Sequence, residues 1–209
     1  MTRCLLLLIM GMVCSCATSP GTLFSYTEKH MGVDFRIDLY SRSKLEADAA
    51  AAKAYQRISD LNSIMSDYVV DSEVWKLSES SSSGSAIKVS QDLYKILKTS
   101  QRITELSDGA FDVTAGPYIL LWRQARRTRR IPRQRSFDRA KLKVGMSKIS
   151  FNDKGRSIQL NAKGMRIDLG GIAKGYAVDE ALQVLQENGI RYAVIDGSGD
   201  MAMTEHPHG

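Results

Sequence analysis

The segment 167–175, IDLGGIAKG, combines residue types that can bind a charged ligand. Asp168 is expected at the carboxyl end of a short strand, and Gly170 and Gly171 allow close approach of the backbone. The helix that follows offers free N–H groups, which attract anions. Lys174 puts a cation in the first helical turn, where the helix dipole disfavours it, so it should serve a phosphate or a partner carboxylate. The pattern favours a phosphate-bearing ligand, with a tight turn and a surface lysine as the alternative. It is neither a Walker A loop nor a motif of three spaced glycines.

The stretch 107–117, SDGAFDVTAGP, is a second candidate. Two acidic residues flank a Gly-Ala-Phe turn, and a Gly-Pro pair then begins a helix that leads to Trp122. Phe111 beside small residues could hold a flat ring of a ligand. A polar loop that places Phe111 in the core fits the composition equally well, so both interpretations stay open here.

Two shorter stretches are weaker candidates. Residues 65–68, MSDY, predict the end of a helix followed by a turn, with Tyr68 free to stack on a ligand or donate a hydrogen bond. Residues 196–200, DGSGD, follow a short apolar strand. This glycine-rich, acidic segment either approaches a ligand or simply forms a turn.

Periodicity and capping predict the elements that carry these segments. Alternation over residues 33–40 indicates a strand with one apolar face. Ser43 and Glu46 form a capping box that begins a helix ending near Met65. That helix is expected to turn these side chains inward: Leu45, Ala49, Ala52, Ile58 and Leu61. Ser90 begins a second helix.

The remaining elements include a loop, a hairpin and a crossover. The serine-rich stretch 78–85 predicts a loop, and residues 149–160 predict a hairpin around an Asn-Asp-Lys-Gly turn. Residues 165–169 indicate a strand, 172–188 a helix and 192–195 a further strand. A strand, helix and strand in this order form a βαβ unit, which is right-handed and joins parallel strands.

The N-terminus has the pattern of an export signal. Thr2 and Arg3 precede an uncharged apolar run over residues 5–13. Because this run is far shorter than the roughly 20 residues that a membrane-spanning helix needs, it indicates a secretory signal. Residues 13–16, VCSC, resemble a bacterial lipobox and predict lipidation of Cys16, with ordinary signal cleavage nearby as the alternative.

These patterns divide the chain into a signal peptide over residues 1–15, a tether leading into the domain over 16–30, and one domain over 31–209. The cysteines are Cys4, Cys14 and Cys16, so a chain that begins at Cys16 has no disulfide framework, and its fold rests on an apolar core. We expect a lipid-anchored protein that faces the periplasm. The outer membrane is favoured because residues 17 and 18 carry no acidic retention signal.

Positive charge is mild overall and concentrated in one stretch. The formal net charge is +6, and seven arginines lie between Arg123 and Arg135. Such a run can contact nucleic acid, anionic lipid headgroups or an acidic partner, although a solvated face is commoner. Because of the export signal, we expect no nucleic-acid partner.

Taken together, the four candidate segments resemble the ApbE family of FAD:protein FMN transferases. The longest match is residues 167–178, IDLGGIAKGYAV, and residues 108–117, DGAFDVTAGP, are the second. Met31-Gly32 and residues 65–68 match more weakly but in the right order. Residues 196–200 are similar to the family's Gly-Gly-Asp turn. The resemblance covers most of the chain.

The resemblance implies an α+β fold, a single ApbE-like (T-fold-like) domain with a mixed sheet and packed helices. It implies FAD as substrate together with Mg²⁺, and transfer of FMN to a Thr or Ser of a target protein with release of AMP. The target would be a flavin-carrying subunit of a membrane redox complex. By position, the FAD contacts would be Met31, Tyr68, Ala110, Phe111, Asp112, Asp168 and Lys174, and the carbonyl of Gly171 would bind the metal.

The chain also departs from the family pattern, which continues past the position of Gly209. That pattern includes a His-containing catalytic motif and an Asp and Thr pair at the metal. Neither has a match here, so no catalytic residue is assigned. His206 and His208 lie in a terminal run without helix or strand pattern. We expect a domain incomplete at its C-terminus, and two other hypotheses stay open: a non-catalytic FAD-binding lipoprotein and a metal-dependent FAD pyrophosphatase.

Overall fold

Six α-helices and seven strands make up residues 21–204, the part of the chain that this computed structural model describes. In chain order they are β1 (Thr22–His30), β2 (Val33–Ser41), α1 (Lys44–Met65), α2 (Glu73–Ser80), β3 (Ile87–Lys88), α3 (Gln91–Leu106), α4 (Gly116–Thr128), α5 (Gln134–Lys141), β4 (Ile149–Asn152), β5 (Ser157–Leu160), α6 (Ala173–Glu187), β6 (Ala193–Gly197) and β7 (Asp200–Met203). The predicted signal peptide, the lipobox with Cys16 and the two terminal histidines lie outside the described residues.

The larger sheet has the strand order β1-β2-β6-β7, and all its pairings are antiparallel. β1 pairs with β2 along its whole length, from Thr22 opposite Ser41 to His30 opposite Val33. The connection Met31-Gly32 has positive φ at both positions, which matches the twist of a two-residue hairpin. The strand predicted over residues 33–40 is confirmed, and β1 lies within the segment expected to be a tether.

One face of this sheet is covered by α1 and α6, which pack against each other. Phe35, Ile37 and Leu39 of β2 are fully buried. The Tyr55 hydroxyl of α1 donates a hydrogen bond to the Phe35 carbonyl at 3.1 Å. The sheet and the two helices therefore share one core.

The N-cap serines follow the prediction, but the inward face of α1 does not, and the Ser43 N–H donates to Ser41 Oγ rather than to Glu46 as a capping box requires. The Ser43 and Ser90 side chains accept from the N–H groups of Glu46 and Leu93 at 3.4 and 3.1 Å. Leu45 is 79% exposed, and Ala49 and Ala52 also face solvent. Because each helical residue rotates about 100° from the last, the face that holds Ile58 and Leu61 takes in other alanines. These are Ala47, Ala50, Ala51 and Ala54.

The predicted βαβ unit is wrong, because residues 165–169 form no strand and pair with no strand of the described chain. Side chains of the α2 region take the place of a neighbouring strand. The Ile167 N–H donates to Ser78 Oγ at 3.1 Å, and Ser81 Oγ donates to the Met165 carbonyl at 3.2 Å. Both serines are buried, and the loop predicted over 78–85 is wrong in its first part because α2 continues through Ser80. The α+β class is confirmed, but the two described sheets are antiparallel rather than mixed.

A smaller sheet, in the order β3-β5-β4, contains the predicted hairpin over residues 149–160, which is confirmed. The Asn152 side chain accepts from the Gly155 N–H at 3.3 Å inside its turn. Across residues 21–204, none of the helices has the length and hydropathy needed to cross a membrane.

Candidate functional site

A cleft opens where the β1–β2 turn, the C-terminal end of α1 and the start of α6 meet. Its volume is about 540 Å³, within the usual size range of small-molecule sites. Residues from three distant parts of the sequence line it: Met31, Gly32, Asn62, Met65, Ser66, Asp67, Tyr68, Val69, Gly170, Ala173 and Lys174. The cleft therefore brings together two of the four candidate segments, 65–68 and 167–175, and the weaker family match Met31-Gly32.

The end of α1 determines where the aromatic residue of the cleft stands. The Ser66 N–H donates to the Asn62 carbonyl at 3.0 Å, and Ser66 itself has extended backbone, so the chain leaves the helix there. Tyr68 is consequently 76% exposed at the rim. Met31 reaches the same cleft from the β1–β2 turn, where it adopts φ 50°.

A guanidinium joins two carboxylates beside the cleft. Arg123 of α4 donates through Nη1 to Asp67 Oδ2 at 2.6 Å and through Nη2 to Asp168 Oδ2 at 2.9 Å. Its guanidinium carbon lies 4.0 Å from the centre of the Tyr68 ring, in cation–π geometry. Asp168 thus belongs to the wall of the cleft through Arg123, although it is not itself a lining residue.

Asp168 is held in an unusual electrostatic environment. Burial raises the pKa of its carboxyl above the usual value, and the nearby Asp67 charge acts in the same direction. The Gly170 N–H, which donates to Asp168 Oδ1 at 2.9 Å, and the Arg123 charge oppose this rise. A buried acid of raised pKa beside a cleft is typical of functional sites.

Sequence reasoning missed Arg123 as a site residue. It was grouped with the arginine run and lies directly after Trp122, outside the motifs that carry the resemblance. Its partners are 56 and 45 residues away in the chain. No local pattern could have revealed this pairing.

Lys174 lines the cleft and already has a carboxylate partner. Its Nζ forms an ion pair with Asp200 at the start of β7 and lies 3.4 Å from the Gly197 carbonyl. The turn between β6 and β7 is closed by the Gly199 N–H, which donates to Asp196 Oδ1 at 2.8 Å. Of the two roles predicted for Lys174, the structure shows the partner carboxylate, while its position in the cleft leaves it near an incoming ligand.

The predicted contacts Ala110, Phe111 and Asp112 are not among the lining residues of this cleft. Asp112 Oδ1 accepts from the N–H and the hydroxyl of Thr114, at 2.8 and 2.6 Å, and so fixes its own loop. Phe111 is partly buried against the core, and its ring would lie 3.3 Å from a Cβ placed on Gly171. The Phe111 loop therefore packs directly behind the glycine turn.

Gly171, the predicted metal ligand, is exposed next to the cleft. Within residues 21–204 there is no group of three or more His, Cys, Asp or Glu side chains that could hold a metal. The nearby Asp168 and Asp200 carboxylates are engaged by Arg123 and Lys174. Because Mg²⁺ prefers six oxygen ligands in octahedral geometry, the described residues do not by themselves fit a magnesium site.

The fold and the cleft define an α+β protein with an open, charge-lined site. The exposed aromatic ring suits a flat group of a ligand, and the cations Lys174 and Arg123, both paired with carboxylates, are the groups available to an anionic part of it.

Comparison with known proteins gives the family. The family model described as "ApbE family" matches residues 31–209. Similar proteins named FAD:protein FMN transferase come from Haemophilus influenzae, 25% identical over 187 residues, and Escherichia coli, 28% identical over 174 residues. These matches cover 86% and 81% of this chain but 54% and 49% of the relatives, so the chain spans about half their length. The chain belongs to the ApbE family, and the resemblance inferred from the motifs is confirmed.

Solved structures agree on the fold. The ApbE protein of Thermotoga maritima is 26% identical, with a TM-score of 0.78 over 87% of this chain and 59% of its own. The flavin transferase ApbE of Vibrio cholerae gives a TM-score of 0.82 at 23% identity, over 88% of this chain and 60% of its own. The expected ApbE-like fold is therefore confirmed.

Proposed function

We propose that this chain binds FAD in the cleft and acts in the transfer of FMN from FAD to a Thr or Ser hydroxyl of a target protein, with release of AMP. One observation carries the proposal. Three motif segments that are far apart in sequence meet around a single cleft of suitable size, in a chain that matches the ApbE family over residues 31–209. The name shared by the relatives, FAD:protein FMN transferase, supports the reaction type.

The proposed reaction exchanges one phosphate ester bond for another. The acceptor oxygen attacks the phosphorus on the FMN side of the pyrophosphate, and the bond from that phosphorus to the AMP oxygen breaks. AMP leaves with the electron pair, and the hydroxyl proton is lost to solvent or a base. No described residue is assigned as that base.

In this scheme the described residues bind FAD and orient it. Tyr68 offers its ring to a flat group of the ligand, and Met31 provides an apolar contact at the rim. Lys174 adds a positive charge near the start of α6. Mg²⁺ would neutralise pyrophosphate charge in the family's reaction, but because the described residues supply only the Gly171 carbonyl, we derive no step through it.

We also propose where the protein works. The predicted lipidation at Cys16 would anchor it to a membrane on the periplasmic side, with the outer membrane favoured. The proposed partner is a flavin-carrying subunit of a membrane redox complex. Replacing the anchor residue, Cys16→Ser, should leave an unprocessed precursor or release the protein from the membrane fraction. A normally processed and acylated Cys16→Ser protein would contradict the anchor.

The transfer test incubates the purified chain with FAD, Mg²⁺ and a target domain that bears an acceptor threonine. Because the described residues supply neither a base nor a complete metal site, we expect no fluorescent target band on a denaturing gel from this chain alone. A version extended to the length of the relatives should give a band, which is lost when the threonine is replaced by alanine. FAD binding without a band from either version would indicate the non-catalytic binder. FMN and AMP released in the absence of target would indicate a pyrophosphatase. Failure of the chain to bind FAD more tightly than FMN would contradict the proposed function itself.

A further inference from the structure

We infer that Arg123 is a positioning residue of the flavin cleft, which compensates the charges of Asp67 and Asp168 and so allows this wall to accept a ligand that carries a pyrophosphate. The inference deepens the proposed function and rests on it. No motif of the sequence and no expected FAD contact includes Arg123.

The Arg123 guanidinium is held by two carboxylates at its edges and by an aromatic ring against its face. Its two terminal nitrogens each reach a different carboxylate, at 2.6 and 2.9 Å, and the Tyr68 ring lies 4.0 Å from its carbon. The Asp168 side chain is 9% exposed and that of Arg123 27% exposed. Because Asp67 and Tyr68 line the cleft, the position of Arg123 determines how both are presented to a ligand.

Without Arg123 this wall would carry two carboxylates and no cation, and with Arg123 one excess negative charge remains. Two carboxylates face one guanidinium, and the cation across the cleft, Lys174, is paired with Asp200. Burial raises the pKa of the Asp168 carboxyl, and the Asp67 charge adds to that rise. A pyrophosphate would meet two like charges here if Arg123 were absent, and opposite charge is what such a group needs.

Arginine suits this position better than lysine would. Its planar fork can donate to two carboxylates at once while its face stacks on an aromatic ring. A lysine ammonium is a single point and cannot hold both acids in this geometry. The bridge also explains why a buried acid and a cleft acid can lie close together in the folded chain.

The test compares FAD with riboflavin, which lacks phosphate, in binding titrations followed by flavin fluorescence. The variants are Arg123→Gln, Asp67→Asn and the two combined, with Arg127→Gln as a matched control that removes the same charge one turn farther along α4. Thermal unfolding verifies that each variant is folded. The comparison of ligands separates charge compensation from a general loss of structure.

Arg123→Gln should weaken FAD binding by about tenfold or more and riboflavin binding by no more than about threefold. Adding Asp67→Asn should recover about threefold of the loss for FAD, because one of the exposed like charges is gone. Arg127→Gln should change FAD binding by less than about threefold.

Equal losses for FAD and riboflavin in Arg123→Gln, or an unchanged FAD affinity, would overturn the inference while the proposed function stands. If Arg123→Gln does not fold, Asp67→Asn decides alone, since it should strengthen FAD binding without affecting riboflavin, and no change would overturn the inference. A wild-type chain that binds neither flavin would overturn the proposed function and the inference with it.

Discussion

Arg57 and Arg123 each bridge two carboxylates, but the two networks differ in charge and in place. Arg57 of α1 donates to Asp92 of α3 at 2.6 and 2.8 Å and to Glu180 of α6 at 2.6 Å, and so joins three helices. Arg123 joins Asp67 and Asp168 at the edge of the cleft.

The Arg57 network is balanced and the Arg123 network is not. Lys95 adds a second cation 2.9 Å from Glu180, and the Tyr176 hydroxyl donates to Asp92 at 2.8 Å. The hydrogen bond from Arg57 holds the pKa of Asp92 below its usual value. Beside Arg123, by contrast, burial raises the pKa of Asp168. The balanced Arg57 network should stabilise the fold. The Arg123 network keeps excess negative charge next to the cleft, an arrangement that lowers stability and is typical of binding sites.

The largest effect should come from breaking the balanced network. Arg57→Ala leaves Asp92 and Glu180 partly buried with Lys95 alone, and should lower the free energy of unfolding by about 3 kcal/mol, measured by urea denaturation. As the matched control, Arg36→Ala breaks an exposed pair with Asp38 and should cost no more than about 0.5 kcal/mol. Similar losses in the two variants would show that the Arg57 network does not stabilise the fold.

The next effect concerns binding rather than stability. Asp168→Ala should weaken FAD binding by about 1.5–3 kcal/mol in a titration, because the contact with FAD that the resemblance implies is a hydrogen bond to a charged group, and its loss should outweigh the removal of one negative charge. Asp153→Ala, which removes the same charge at the exposed β4–β5 turn, should leave FAD affinity unchanged. An affinity equal to wild type in Asp168→Ala would remove Asp168 from the ligand site.

Lowering the pH should reduce the contribution of the Arg57 network to the free energy of unfolding. Although burial acts to raise it, hydrogen bonds from Arg57 and Lys95 hold the pKa of Glu180 below its usual value of 4.5, and the pKa of Asp92 lies below its usual 3.8. Lowered folded pKa values mean that this stabilisation is present above pH 4.5 and lost as pH falls through the folded values. The difference in unfolding free energy between wild type and Arg57→Ala should therefore shrink below pH 4. A difference that stays constant from pH 7 to pH 3 would be inconsistent with an ionic origin.

The smallest expected effect is that of one hydroxyl. Tyr176→Phe removes the hydrogen bond to Asp92 and should lower stability by about 1 kcal/mol in the same denaturation assay. Tyr192→Phe, whose ring lies near Arg191 at the surface, is a matched control with little expected change. No difference between the two variants would show that the Tyr176 hydroxyl does not contribute to the stability of the network.

Features of the fold set by neighbouring residues could be predicted from the sequence. Ser43 and Ser90 cap their helices through N–H groups three residues on, and the β4–β5 hairpin depends on its own turn. The strand predicted over 165–169 is wrong because its backbone bonds to distant groups that are not a strand, the Ser78 and Ser81 side chains and the Val113 carbonyl, which no local pattern reveals. The same reason hides the bridge from Arg123.

For the candidate site, the motifs identified most of the residues that line the cleft, but they did not predict which side chains pair with each other. Tyr68, Met31 and Lys174 meet there as the resemblance implies, whereas Asp112 is occupied with Thr114. A motif specifies residue types, while pairing depends on which helix ends meet in space. Arg123 is the clearest example, since its run of arginines predicts a solvated face.

The unbroken pairing of β1 with β2 has a geometric consequence for an anchored protein. Thr22 lies at one end of β1 and His30, next to the cleft residue Met31, at the other. Nine residues of extended chain span roughly 30 Å. A lipid attached ahead of β1 would thus be separated from the mouth of the cleft by the length of the strand, a distance comparable to the thickness of the bilayer's hydrocarbon core. With β1 perpendicular to the membrane, the cleft would meet an acceptor hydroxyl at a similar height above the surface.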